Sequence, residues 1–132
     1  MTLDGLPDGA YLAWRYVDGH RHVDRAQIYW DDGRVDAVEH GEREELFRFS
    51  PEDVKAARRA VVESGLPVAT DRSREDAYDT ASLTYWWRAE GRRGSVVNTA
   101  YPAEQPPEIE RLESLLADLE EQAGVWPLLA DE

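Results

Sequence analysis

The strongest constraint on the fold is the punctuation at the start of the chain. Three runs rich in aromatic and apolar residues, 10–17 (AYLAWRYV), 23–30 (VDRAQIYW) and 34–39, are separated by Asp18-Gly19 and by Asp31-Asp32-Gly33. Runs of this length read as strands, and the Asp/Gly separators read as tight turns. Strands joined so closely must pair antiparallel, because a parallel pair needs a crossover of a dozen or more residues. An antiparallel meander is therefore expected. Residues 40–45 are polar and read as loop, and 46–49 as a short fourth strand or an extended lead-in.

A helix is expected over 51–64. Ser50 suits the N-cap and Pro51 the first helical position, where a missing N–H costs nothing. Glu52 and Asp53 place negative charge at the positive end of the helix dipole. Phe49 and Val54 have the spacing of a hydrophobic staple, Gly65 is a stop, and Pro67 forbids continuation. Residues 70–79 are polar and read as a mobile loop. The run 80–90 (TASLTYWWRAE) is a long strand signal, Gly91-Arg92-Arg93-Gly94 a hairpin turn, and 95–100 its partner strand. The stretch 101–107 holds three prolines and reads as an ordered turn. In the final helix, from about 107 to 123, Ile109, Leu112, Leu115, Leu116 and Leu119 fall on one face. The apolar tail 125–129 is expected to pack back on the domain.

The expected fold class is α+β. An antiparallel sheet of about five or six strands, built as two hairpin–helix halves, carries two amphipathic helices on one face. The 132 residues fit one domain, spanning 1–132, with a core that needs no disulfide or metal. A hydrophobic fraction of 42% argues against disorder despite 33% charged residues. With no cysteine, thiol catalysis and cysteine-ligated metal sites are excluded. Residues 1–9 lack the basic and apolar regions of a signal peptide, and no run is long enough to span a membrane, so cytoplasmic residence is the expectation. The net charge of −13 argues against nucleic acid and anionic membrane as partners. Lys55 is the single lysine, so the cations are otherwise arginines. The acidity itself fits salt adaptation of the host, or mimicry of nucleic acid.

Period-2 alternation sorts the strand residues into two faces. Leu12, Trp14, Tyr16, Ala26, Ile28, Trp30, Leu83, Tyr85 and Trp87 form an apolar set, expected beneath the helices. The other set joins Gln27 and Thr84 to Tyr11, Arg15, Arg25, Tyr29, Trp86 and Arg88. These last six are the candidate binding residues, because Tyr, Trp and Arg on rigid strands bury large area at modest entropy cost. The competing explanation is a solvated face on which guanidinium groups lie over rings.

Other chemistry is weakly signalled. His20 and His22 stand at strand spacing and could share a metal with Asp18, Asp24 or His40, but turns are often rich in these residues. Asp31-Asp32-Gly33 lacks the spaced carboxylates of a calcium loop. Ser50 and Ser64 are explained by helix ends, while Ser73, Ser82 and Ser95 lie in no nucleophile elbow. Gly91 and Gly94 bracket a hairpin rather than a phosphate loop. Asp79, beside Tyr78, is the one carboxylate considered for acid–base work, and an acidic residue opening a strand is usually structural. No cofactor is expected.

The run 79–119 resembles the emfourin-type inhibitors of thermolysin-like metallopeptidases. The residues that carry the likeness are Asp79 leading Leu83-Thr84-Tyr85, the charged hairpin 91–94, strand 95–99, then Pro106-Pro107 and a Leu-rich final helix. Helix 50–65 with its Gly-Leu-Pro exit fits the same plan. The N-terminal part departs from the family, with an extra hairpin bearing Trp14 and Trp30 in place of a glycine-rich opening strand. No inhibitory residue is carried over. The resemblance implies a noncatalytic protein binder. The expected function is thus a protein-binding module, a peptidase inhibitor being one form of it, with a protein partner and no nucleic acid or membrane. The alternative is a small ligand binder or enzyme with a cavity between sheet and helices, lined by Trp14, Trp30, Tyr85 and Trp87 with Asp79 at its mouth.

Overall fold

The computed structural model describes residues 5–19, 21–69, 71, 81–99 and 106–122. Its elements run β1 (Ala10–Asp18), β2 (Val23–Trp30), β3 (Arg34–Glu39), β4 (Glu42–Arg48), α1 (Pro51–Glu63), β5 (Ala81–Ala89), β6 (Arg92–Asn98) and α2 (Pro107–Gln122). The strands form one six-stranded sheet in the order β4-β3-β2-β1-β5-β6. Every neighbouring pair is antiparallel. The class is α+β, with the helices packed on the sheet. No helix among the described residues is long and apolar enough to cross a membrane.

Turn chemistry sets the meander. Asp31-Asp32-Gly33 is a three-residue connection in which Gly33 takes φ +98° and donates to the Trp30 carbonyl. A Cβ at Gly33 would stand 2.3 Å from the Phe49 carbonyl oxygen, so no other residue fits here. The segment 40–45, expected as loop, is instead a two-residue turn followed by most of β4. His40 and Gly41 both take positive φ, the geometry of a type I′ turn, whose twist matches that of the flanking strands. Glu90 and Gly91 repeat the device between β5 and β6, so that turn is shorter than the sequence implies, and Arg92 and Arg93 already belong to β6. The expected loop 70–79 (Asp71 apart), the turn 101–107 before Pro106, and the tail 125–129 lie outside the described residues.

Helix α1 begins as expected. The Ser50 side chain accepts from the Asp53 N–H at 3.1 Å while the Asp53 carboxylate accepts from the Ser50 N–H, a reciprocal box that satisfies two otherwise orphaned donors. It ends at Ser64 and Gly65, and a 3-10 turn follows at Leu66–Val68. Arg111 of α2 donates to the Ser64 carbonyl at 2.9 Å, tying the end of α1 to the second helix. Phe49, Val54, Ala57, Val61, Ile109, Leu112 and Leu116 meet Leu12, Tyr29, Val35, Leu83, Tyr85 and Val96 in one buried cluster between helices and sheet.

The face assignment holds for β1 at 12, 14 and 16 and throughout β5, and it is inverted for β2. Register pairs Ala13 with Ile28, Trp14 with Gln27 and Arg15 with Ala26. Residues directly opposite share a face. Gln27 and Tyr29 therefore lie under the helices, while Ala26, Ile28 and Trp30 lie on the other face. The cause is the β1–β2 connection, in which Asp18 pairs with Val23 across a four-residue loop. An even-length loop sets even positions of one strand opposite odd positions of the next. A bulge between Ala10 and Leu12 then turns Tyr11 onto the helix side as well, where its ring lies 6.1 Å from that of Tyr29.

Candidate functional site

The six expected binding residues are divided between the two faces. Arg15, Trp86 and Arg88 lie on the face opposite the helices, each half-buried. Tyr11 and Tyr29 are buried at 1% and 2% exposure in the main core, which removes them from any surface site. Arg25 pairs in register with Tyr16 on the helix side and lies 3.8 Å from Glu39. Trp30, expected in the core, takes the vacated place on the open face.

The open face is a shallow second core with a charged frame. Ala10, Ala13, Ala26, Ile28 and Val38 form its buried floor, with Leu6, Trp30 and Trp86 packed against them. The small side chains at 10, 13 and 26 leave room for both indoles to lie over the central strands. Around this floor most arginines are paired. Arg15 makes a two-pronged contact with Asp24 at 2.9 and 2.8 Å. That hydrogen bond, followed by the guanidinium charge, holds the Asp24 carboxyl below its ordinary range. Arg88 binds Asp31, and Arg48 donates to Glu45 at 3.0 Å. At the β3–β4 end, Asp36 is 2% exposed, and its Oδ2 accepts from Trp30 Nε1 at 2.9 Å and Arg43 Nε at 2.7 Å. The guanidinium centres of Arg34 and Arg43 lie 5.0 and 5.1 Å from the Trp30 ring centroid.

A second polar cluster lies between sheet and helices. The Tyr29 hydroxyl stands 3.2 Å from Gln27 Oε1 and 3.3 Å from Glu120 Oε1, and Glu120 is 5% exposed. Burial pushes the Glu120 carboxyl up, against the opposing effect of the Tyr29 hydrogen bond. Burial likewise raises Tyr29 and Tyr11, and the Tyr11 hydroxyl has no hydrogen-bond partner among the described residues. About two turns earlier in α2, Glu113 accepts from the Tyr85 hydroxyl at 3.0 Å. These contacts fasten α2 to the sheet.

The cavity expected between the layers is not assembled from its predicted lining. Trp30 is on the opposite face, Tyr85 and Trp87 are buried at 3% and 6%, and Asp79 lies outside the described residues. The Trp87 ring stacks closely over Gly94, where a Cβ would meet it at 2.8 Å. A shallow depression is lined by Glu39, His40, Glu42, Arg43 and Glu44 at the β3–β4 hairpin. His20 also lies outside the described residues, and no group of three or more His, Asp or Glu side chains among those described is placed to hold a metal ion.

Sequence reasoning missed Trp30, Asp36, Arg34 and Arg43 as surface chemistry. The available signal was the turn length: counting the β1–β2 loop as four residues would have inverted β2. No protein-family model matches the chain, and no curated protein matches it significantly.

Proposed function

We propose that the protein is a noncatalytic module that docks another protein on the open face of its sheet. The observation that carries this reading is the placement of Trp30, Trp86, Arg15 and Arg88 together on rigid strands, half-exposed and away from both helices. Indole and guanidinium groups held in this way lose little entropy when a partner covers them. The groups with displaced pKa values support a noncatalytic reading. Asp24 is held in an ion pair, and Glu120 and Tyr29 are held in an internal network.

The resemblance to emfourin-type inhibitors makes a thermolysin-type metallopeptidase the first partner to test. Its activity is to be followed with wild-type protein, with Trp86→Ala, and with Glu63→Ala on the helix side as control. Stoichiometric inhibition that disappears only with Trp86→Ala supports the inhibitor reading. Equal inhibition by all three moves the site off this face. Without inhibition by the wild type, the peptidase is not the partner, and the same three proteins become baits for capture from host lysate.

A small-ligand binder is the second reading. It is favoured by the buried Tyr11 hydroxyl, which lies in the same core as Tyr29 and lacks a partner among the described residues. A metabolite that raises the melting temperature of the wild type but not of Tyr11→Phe supports it. Equal stabilisation of both proteins counts against it.

A further inference from the structure

We propose that Arg34 and Arg43 form a carboxylate-binding fork at the β3–β4 end of the open face, so that the partner segment seated there is acidic. This rests on the docking function above and names the chemistry of what docks.

The fork is built from a single buried oxygen. Asp36 Oδ2 holds Arg43 Nε at 2.7 Å and lies 3.3 Å from Arg34 Nε. The two guanidinium groups are thereby drawn together, and each also lies against the Trp30 ring. The indole N–H is spent on the same oxygen, which fixes the ring that orients both cations. Arg34 Nε is buried and makes no hydrogen bond among the described residues, because its approach to Asp36 is a close charge contact rather than an aligned one. One carboxylate thus faces two full positive charges.

The terminal nitrogens distinguish this pair from the other arginines of the face. Arg15, Arg48 and Arg88 each place an Nη on a carboxylate of the chain. Among the described residues, neither Arg34 nor Arg43 makes a hydrogen bond through an Nη, and their side chains are 31% and 37% exposed. Arg48 stands directly across from Arg34 and is paired with Glu45, which stands across from Asp36. Two planar donor edges held at a fixed separation match a carboxylate, and their ordering cost has already been met by Asp36 and Trp30. The apolar floor at Ile28 and Val38 lies beside them, which suits a carboxylate carried by a protein segment with an apolar neighbour better than a free inorganic anion.

The test is a titration of the full chain, followed by the Trp30 indole N–H resonance, with a hexaglutamate peptide and separately with inorganic phosphate. A saturable shift with the peptide is expected. Its apparent Kd is expected to weaken at least ~10-fold in Arg43→Gln and in Arg34→Lys, which keeps the charge but loses the fork. Retention of the other resonances in both variants shows that the fold is intact. An unmoved Trp30 resonance, equal peptide affinity in the variants, or a response to phosphate without one to the peptide overturns the proposal. If capture of a partner still depends on Trp86 while the peptide fails to bind, the docking function stands and this inference falls.

Discussion

The two faces of the sheet handle buried charge in opposite ways. On the open face, guanidinium groups sit on Asp36 and Asp24, and the hydrogen bond from Arg15 holds the Asp24 carboxyl below its ordinary range. On the helix face, Glu120 meets, among the described residues, only the hydroxyl of Tyr29, and its charged form is disfavoured. Proton counting makes the second case explicit. Tyr29 carries one hydroxyl proton and faces an acceptor oxygen of Gln27 and another of Glu120. Both contacts are hydrogen bonds only if Glu120 supplies a proton of its own, or if the Gln27 amide is turned to donate. The lesson is that burial alone does not decide the state of a carboxyl; the donors within reach decide it.

The comparison is tested first by truncating each floor. Leu12 and Ile28 are both fully buried, one beneath the helices and one on the open face. Leu12→Ala is expected to cost about 3–4 kcal/mol in denaturant unfolding, since neighbours on both sides cannot collapse onto the cavity. Ile28→Ala is expected to cost about 2 kcal/mol, because the indoles above it can settle. Equal losses would show that the open face is as tightly packed as the main core.

Removing Asp36 comes next. Asp36→Ala leaves Arg43 and the Trp30 indole N–H without their shared acceptor and Arg34 without its counter-charge, and about 2 kcal/mol of stability should be lost. Calorimetric melting of the variant checks this, and a neutral result would mean that Arg34 and Arg43 swing freely into water.

The helix-face acid is expected to respond with the opposite sign. Glu120→Gln should stabilise the protein by about 1 kcal/mol at neutral pH, because it removes an ionisable group whose charged form the core disfavours. The pH dependence follows from the direction of each shift. Glu120 is raised in the folded state, so its contribution is fully present below the ordinary glutamate range and is lost as pH rises through its raised value. Asp24 is lowered, so its contribution is present above the ordinary aspartate range and is lost as pH falls through its depressed value. Unfolding measured between acid and neutral pH should show the first slope vanish in Glu120→Gln and the second vanish in Asp24→Asn.

The smallest effect is expected at the rim. Arg88→Ala breaks a half-exposed pair with Asp31 and should change stability by under ~0.5 kcal/mol. A larger loss would indicate that its stem covers apolar floor as well.

Much of the architecture was legible from local chemistry. Ser50, Pro51 and Gly65 delimit α1 through backbone donors and φ preferences that act within a single turn. Period-2 alternation gave β5 correctly over its whole length, because every second residue there is buried. The hairpin at His40-Gly41 was missed, since a histidine in left-handed geometry leaves a weaker mark than Asn-Gly or Asp-Gly. The candidate face was legible only in part. Arg15, Trp86 and Arg88 were placed correctly, whereas Tyr11, Arg25 and Tyr29 were not.

What the sequence by itself determined is both helices, strands β1, β2, β3 and β5 and the apolar stripe of each, because hydrogen-bond capping, turn φ values and side-chain periodicity are properties of neighbouring residues. What only the tertiary structure decided is which stripes share a face. That depends on the parity of a four-residue loop and on one bulge at Tyr11, and either one shifts a strand by a single residue. Such a shift costs little locally but exchanges every side chain between water and core. Trp30 reached the arginines, and Tyr29 reached Glu120, by that exchange alone.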